Sequence, residues 1–248
     1  MSRVTTTTIS NRFAGPPFAA NGGYTAGLLA EHLGVRGAHV QLRAPVPLDT
    51  PIEIIVDDPQ ATISHHGHDL VTASPISLLD RTHPQVDFVT AAIAAGSTDP
   101  TNHPFPGCFV CGPDRSHEDG LHLFPGHVSD DVVAVSWRPA MWQADPTGTV
   151  GMRMVTAALD CPSVFPYLEP GGAALLASMT FEVGRLPHVG EHLIVTGWRR
   201  HSEGRKLFAA SAIATAEGET LARANTLWIA VAAEDLVRVA ASMDRSAA

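Results

Sequence analysis

Asn21-Gly22-Gly23 stands at the mouth of an Ala/Leu-rich run, "NGGYTAGLLAEHL". Glycine loses the most backbone freedom on folding, so two of them at a helix start cost stability. One reading is a turn that closes before the helix begins. The other is a helix N-terminus left bare, so that its N–H groups and macrodipole can receive a developing negative charge. Asn21 is among the best N-cap types and fits both readings. A second residue with chemical potential, Asp160, closes the apolar run "VGMRMVTAALDCP". A carboxylate at a helix C-terminus is electrostatically unfavourable, and a buried one is what general-base or nucleophilic chemistry uses. The plain alternative is a helix-end acid. Asp145, in "WQADPTG", is a second-choice catalytic carboxylate, although Asp-Pro is also a common turn signal.

Cys108-x-x-Cys111, with His103, His117 and His122 nearby, invites a zinc reading. Its spacing to the histidines matches no common finger, and no second Cys-x-x-Cys exists. The thiols are therefore expected to be reduced and structural in a tight loop, and no metal is expected. Cys161 follows Asp160 but lacks the His/Asp pattern of a thiol nucleophile. There is no Gly-x-Ser-x-Gly elbow. His65-His66-Gly67-His68 reads as a hairpin turn.

The bulk numbers bound the partners. A net charge of −9 without a basic run argues against a nucleic-acid surface. Apolar content of 45% over 248 residues is enough for a real core. The opening "MSRVTTTTIS" holds no apolar signal core, and no apolar run approaches the roughly 20 residues that span a bilayer. Three cysteines suit a reducing compartment. A soluble cytoplasmic protein, bound to neither membrane nor nucleic acid, is expected.

Two blocks share one order of elements. In the first, a helix runs from about Gly22 to a stop at Gly34, followed by strand-like runs "AHVQLRAPVPL", "TPIEIIVDD" and "ATISHHGHDLVTASPISLL". In the second, a helix from about Thr149 to Asp160 is expected to stop at Cys161-Pro162. The alternating runs "AALLASMTFEV", "EHLIVTGWRRHSE", "KLFAASAIATAEG" and "ETLARANTLWIAVA" follow. "LRAPVPLDTPIEIIV" and "FEVGRLPHVGEHLIV" each set a proline, Pro47 or Pro187, at a strand end, a weak internal repeat. Residues 82–106 read as a linker whose middle, "PQVDFVTAAIAAG", is a short amphipathic helix. "EDLVRVAASM" reads as a closing helix. The expected units are 1–97 and 98–248.

The block "CFVCGPDRSHEDGLHLFPG…VAVSWRPAMWQADPTGTVGMRMVTAALDCP" resembles the hot-dog-fold thioesterase superfamily. Its members often carry Cys-x-x-Cys-Gly, then Gly-Leu, a strand, and Gly-x-Val-His-Gly-Gly leading a helix that ends Leu-Asp. "NGGYTAGLLAEHL…LRAPVPL" resembles the N-terminal half of acyl-CoA thioesterase-like double hot-dogs. The resemblance implies an α+β fold of two tandem hot-dog units. Each would be a long central helix wrapped by a curved antiparallel β-sheet, the two paired sheet to sheet as a pseudo-dimer with acyl-thioester sites between them.

In the pattern His-Gly-Gly-(x)6-Asp, the first residue and the carboxylate are nine positions apart, roughly 180° around a helix and roughly 13 Å along it. One helix cannot bring both to a single carbonyl, so each site must draw on both units. Asn21-Gly22-Gly23 fits the His-Gly-Gly slot, and its carboxylate slot is Ala30; Glu31 misses it by one. Gly151-Met152-Arg153 is the altered second triplet, and its carboxylate slot is Asp160. One intact site, Asn21-Gly22-Gly23 with Asp160, and one defunct site, Gly151-Met152-Arg153 with Ala30, are expected.

The resemblance implies hydrolysis of an acyl-CoA or acyl-carrier-protein thioester without a cofactor. The Gly22 or Gly23 N–H would polarise the carbonyl, and Asn21 would orient the water or the carbonyl. Asp160 would act as general base or as nucleophile. Tyr24 and Arg153 are the expected substrate contacts, with Arg153 alternatively filling the defunct pocket. Arg43, Arg199, Arg200, Arg205 and Lys206 are further cations that could meet CoA phosphates, although "WRRHSEGRK" also reads as a solvated hairpin tip. The alternatives are a non-catalytic acyl-thioester binder or repurposed pathway protein, and a hydratase or dehydratase. The Asp/His partnership of hydratases is absent, since Val150 stands at the matching distance from Asp145. Association into homo-oligomers is a habit of the family.

Overall fold

Asn21 starts the first helix, α1 (Gly22–Leu33), by accepting the Tyr24 N–H on its side-chain oxygen at 2.9 Å. Gly34, at φ +70°, ends it by donating back to the Ala30 and Glu31 carbonyls, a left-handed cap that glycine adopts without strain. Every residue from Gly23 to Ala30 is buried, so α1 is enclosed on all sides rather than lying on a surface. The structure, a computed structural model, describes residues 2–77, 82–169, 171–232 and 235–236.

The strands of the first half are β1 (Arg3–Thr8), β2 (Gly37–Leu42), β3 (Pro51–Asp57), β4 (Gln60–His65) and β5 (His68–Pro75). The β4–β5 hairpin turns through His66 and Gly67, both at positive φ (50° and 76°), which matches the right-handed twist of the strands. A linker helix, α2 (Phe88–Gly96), follows and packs on strands of the second half, Ala91 meeting Ala134 and Ile194. The second half holds β6 (Gly126–Ser129), β7 (Val132–Trp137), α3 (Met152–Val164), β8 (Ala173–Val183), β9 (Leu193–Glu203), β10 (Lys206–Thr215) and β11 (Thr220–Val231).

All eleven strands form one antiparallel sheet in the order β1-β3-β4-β5-β2-β8-β11-β10-β9-β7-β6. The halves join edge to edge where β2 pairs β8, with Val40 opposite Met179 and Ala38 opposite Phe181. These four side chains lie in the fully buried core. Two central helices therefore share one curved sheet. No helix among the described residues is long and apolar enough to cross a membrane.

One expectation needs correction. The second helix does not stop at Cys161-Pro162 but runs through Pro162 to Val164. Proline removes a backbone donor in mid-helix, here the one that would pair the Ala158 carbonyl, and the next two carbonyls each accept from a hydroxyl. Ser211 Oγ donates to the Leu159 carbonyl at 2.6 Å and Ser163 Oγ to the Asp160 carbonyl at 2.7 Å. Asp160 consequently sits inside the helix, a turn before its end. The polar opening is a strand, β1, an exposed edge paired only with β3. Of the expected closing helix, Asp235–Leu236 are helical and the rest lies outside the described residues.

The helices α1 and α3 cross on glycine. A Cβ at Gly23 would come within 2.6 Å of Asp160 Cβ, and one at Gly27 within 2.7 Å of Arg153 Cα. Both also face Thr156, so neither side can relax by swinging a flexible chain end. Gly27→Ala is expected to lower stability by about 1–3 kcal/mol through overpacking, read as a lower midpoint in thermal or denaturant unfolding. An unchanged midpoint would mean that the crossing is looser than described.

Candidate active site

The crossing brings the start of α1 against the late part of α3. Asn21 Nδ2 donates to Asp160 Oδ2 at 2.8 Å across 139 residues of chain, and the Gly23 N–H donates to the same oxygen at 2.9 Å. Asn21 thus uses both ends of its amide, the oxygen as the cap of α1 and the nitrogen as a clamp on the carboxylate. The Asn21 N–H is held in turn by the Phe13 carbonyl at 2.8 Å. Asp160 is anchored from behind by Ser163, which donates to the Asp160 carbonyl and accepts from Thr226 Oγ1 and Trp228 Nε1, each at 2.9 Å, on β11.

The other carboxylate oxygen is different. Asp160 Oδ1 is buried and has no hydrogen-bond partner among the described residues. Asp160 as a whole is 1% exposed. Burial pushes its carboxyl up to about 7, against the Gly23 and Asn21 hydrogen bonds that draw it down. The carboxylate is therefore oriented through one oxygen and unspent at the other.

The glycines of the Asn21 triplet divide the work. Gly23 gives its N–H to Asp160 and its missing side chain to the α1–α3 crossing. The Gly22 N–H has no acceptor among the described residues. Gly22 borders a cavity of about 60 Å³ that also contains Asp160, Cys161, Leu176 and Trp228. Gly22, Pro16 and Leu176 separate it from a mainly apolar cavity of about 300 Å³ walled by Phe18, Val46 and Ile229, with Arg43 among its lining residues. On the other side, His103 and Phe165 are shared with a more polar cavity of about 560 Å³ that includes His127 and Arg199.

The pseudo-equivalent position at the far end of the crossing is filled. Arg153 Nε pairs with Glu31 Oε2 at 2.7 Å, and its guanidinium donates to the Tyr24 hydroxyl at 3.3 Å. Tyr24 stacks on Phe13 with ring centroids 4.1 Å apart. Neither Tyr24 nor Arg153 borders the Asp160 cavity, and Ala30 is fully buried. Asp145 lies apart as well. Its carboxylate caps an exposed turn, accepting from the Thr147 hydroxyl (2.6 Å) and N–H (2.8 Å) and the Thr149 N–H (3.1 Å), bonds that hold it below the usual range.

The spacing rules missed one association. Cys161, beside Asp160 on α3, meets Cys108 and Cys111 of the loop before β6, and all three are buried and free. Their sulfurs lie within 4.8 Å of one another, and Cys108 Sγ and Cys161 Sγ are 3.7 Å apart. All three border the same cavity as Asp160. Hydrogen bonds from the other two thiols, and from the Cys111 and Val110 N–H groups, pull Cys108 well down, whereas burial pushes Cys111 up.

Solved structures of three proteins match this chain over most of its length. They are the tesB protein of Mycobacterium avium subs paratuberculosis (12% identity, 92% of this chain and 93% of that one, TM-score 0.62), a hot dog fold protein of unknown function from Alicyclobacillus acidocaldarius (13%, 93% and 94%, 0.60), and a proposed thioesterase II from Thermobifida fusca YX (15%, 91% and 93%, 0.61). No family model and no curated protein matches the sequence. The likeness establishes the architecture: two hot-dog units in tandem, each a central helix wrapped by half of the sheet.

Proposed function

We propose that this double hot-dog chain hydrolyses an acyl thioester, of CoA or of an acyl-carrier protein, at one site built from both units. One observation carries the reading. A buried carboxylate is held by Asn21 and Gly23 through Oδ2, Oδ1 has no partner among the described residues, and Asp160 and Gly22 line one cavity. The thioester carbonyl oxygen would take the Gly22 N–H at the positive end of α1, which stabilises charge developing on that oxygen. Asp160 Oδ1 takes a proton from water as the water oxygen bonds to the carbonyl carbon. Collapse of the tetrahedral intermediate breaks the C–S bond, and the departing thiolate receives the proton from Asp160. Direct attack by Oδ1, giving an acyl anhydride that water then opens, uses the same atoms. The apolar cavity beyond Gly22 suits an acyl chain, and the polar one with His127 and Arg199 suits the carrier arm. Thioesterase naming of a solved structure with this fold points the same way.

The test is incubation with a panel of acyl-CoAs and acyl-carrier proteins in the presence of a free-thiol reagent. Thiol release that follows chain concentration supports hydrolysis; tight ligand binding without thiol release would replace it with a non-catalytic carrier role. Asp145→Asn is expected to leave turnover within about twofold, because that carboxylate is spent on its own turn. A collapse of turnover in that variant would move the chemistry away from Asp160.

A further inference from the structure

We propose that Cys108, Cys111 and Cys161 form a three-thiolate site for a thiophilic divalent cation, with zinc as the ion to test. It requires no hydrolytic activity and is judged by binding alone.

Three observations carry it. First, the sulfurs are grouped at metal-binding distances: all lie within 4.8 Å of one another, and the Cys108–Cys161 pair at 3.7 Å. A tetrahedral zinc with Zn–S bonds of about 2.3 Å has S···S edges of about 3.8 Å. One edge is therefore already formed, and the others need to close by about 1 Å at most. A disulfide would require about 2.05 Å. Second, the Cys108 loop is a tight turn that brings two of the sulfurs together, closed by the Gly112 N–H donating to the Cys108 carbonyl at 2.9 Å. Gly112 closes the turn, and a Cβ there would strike the Cys108 N and the Pro106 carbonyl. Third, the thiols come from different elements. The loop supplies two and the buried helix α3 the third, so an ion would tie the loop to the helix that carries Asp160.

Three thiols can also pack as small apolar groups. Packing alone does not require three thiols from two elements to gather with their sulfurs within 4.8 Å of one another, all three residues lining one cavity. Among the described residues, this is the one group of three or more His, Cys, Asp or Glu ligand atoms at such distances. Zinc replaces the thiol protons, so up to three protons pass to solvent and the S–H bonds give way to Zn–S bonds.

The experiment uses the full chain isolated without chelators under reducing conditions. It measures bound zinc by elemental analysis, zinc affinity by competition with a chromophoric chelator, and cobalt substitution by absorption. One zinc per chain is expected, with the strong thiolate-to-cobalt charge-transfer band and a higher unfolding midpoint when zinc is added. Cys161→Ser should weaken zinc by about 100-fold or more, since disturbing even a ligand's supporting partner costs 10–100-fold. Cys111→Ser supplies the same comparison if Cys161→Ser does not fold. No zinc above background in the wild-type chain, affinity unchanged in a folded Cys→Ser variant, or a Cys108–Cys161 disulfide in the reduced preparation would overturn the site.

Discussion

Asp160→Asn is expected to lower the proposed thioester turnover by about 10²–10⁴-fold, the usual contribution of a positioned general base, and to leave the fold intact. The amide has the shape of the carboxylate. Its oxygen can occupy the Oδ2 position and keep both donors, Gly23 N–H and Asn21 Nδ2. Its nitrogen then replaces Oδ1, which has no partner to lose. The change also removes a charge whose burial is unfavourable, as the carboxyl raised to about 7 records. The unfolding midpoint is therefore expected to stay the same or rise while turnover falls, a trade found where a site holds a group the fold would not choose. Steady-state thiol release and thermal unfolding of one preparation check both halves. Retained turnover would remove Asp160 from the chemistry; a collapsed midpoint would make it a structural residue.

Asn21 separates stability from turnover in a second way. Asn21→Ala deletes the α1 cap, worth about 1 kcal/mol, and the amide donor to Asp160. A hydrogen bond to a charged group is worth about 1.5–3 kcal/mol, so turnover should fall by about 10–100-fold. Asn21→Ser keeps an oxygen for the Tyr24 N–H but has no amide to reach Asp160 Oδ2. It should restore the midpoint and leave turnover as low as in the alanine variant. If serine restores both, the cap alone explains Asn21.

Much of this arrangement is legible in the sequence, because it rests on local chemistry. Asn21 and Gly34 bracket α1 by capping rules, His66-Gly67 marks a tight hairpin, and the repeated helix-then-meander order implies two units. The pairing of Asn21 with Asp160 rests on the resemblance, whose His-Gly-Gly-(x)6-Asp pattern assigns the two slots, and on helical geometry, since nine residues along one helix cannot converge on a single atom.

What escaped depended on distant partners. β1 is a row of threonines exposed on an edge, without the apolar alternation that announces a strand. Pro162 reads as a stop by local rules, whereas the packing of α3 against β10, where Ser211 donates to the Leu159 carbonyl 52 residues away in sequence, is not legible locally. That the Gly23 N–H, and not that of Gly22, holds the carboxylate has no sign in the two adjacent glycines. The third thiol was invisible as a partner, since Cys161 lies 53 residues from Cys108 and on a different element. Tyr24 and Arg153, expected as substrate contacts, are joined through the Tyr24 hydroxyl, with Arg153 also paired to Glu31, and neither lines the Asp160 cavity.

The central claim is a single site made by the start of α1 and the acid of α3. A crystal structure of the Asp160→Asn chain with a bound non-hydrolysable acyl-thioester analogue tests it most directly. The account predicts one analogue per chain, its carbonyl oxygen within hydrogen-bond reach of the Gly22 N–H and its carbonyl carbon facing the residue 160 side chain. An analogue seated at Gly151 and Arg153, or one whose carbonyl lies away from both Gly22 and residue 160, would contradict it.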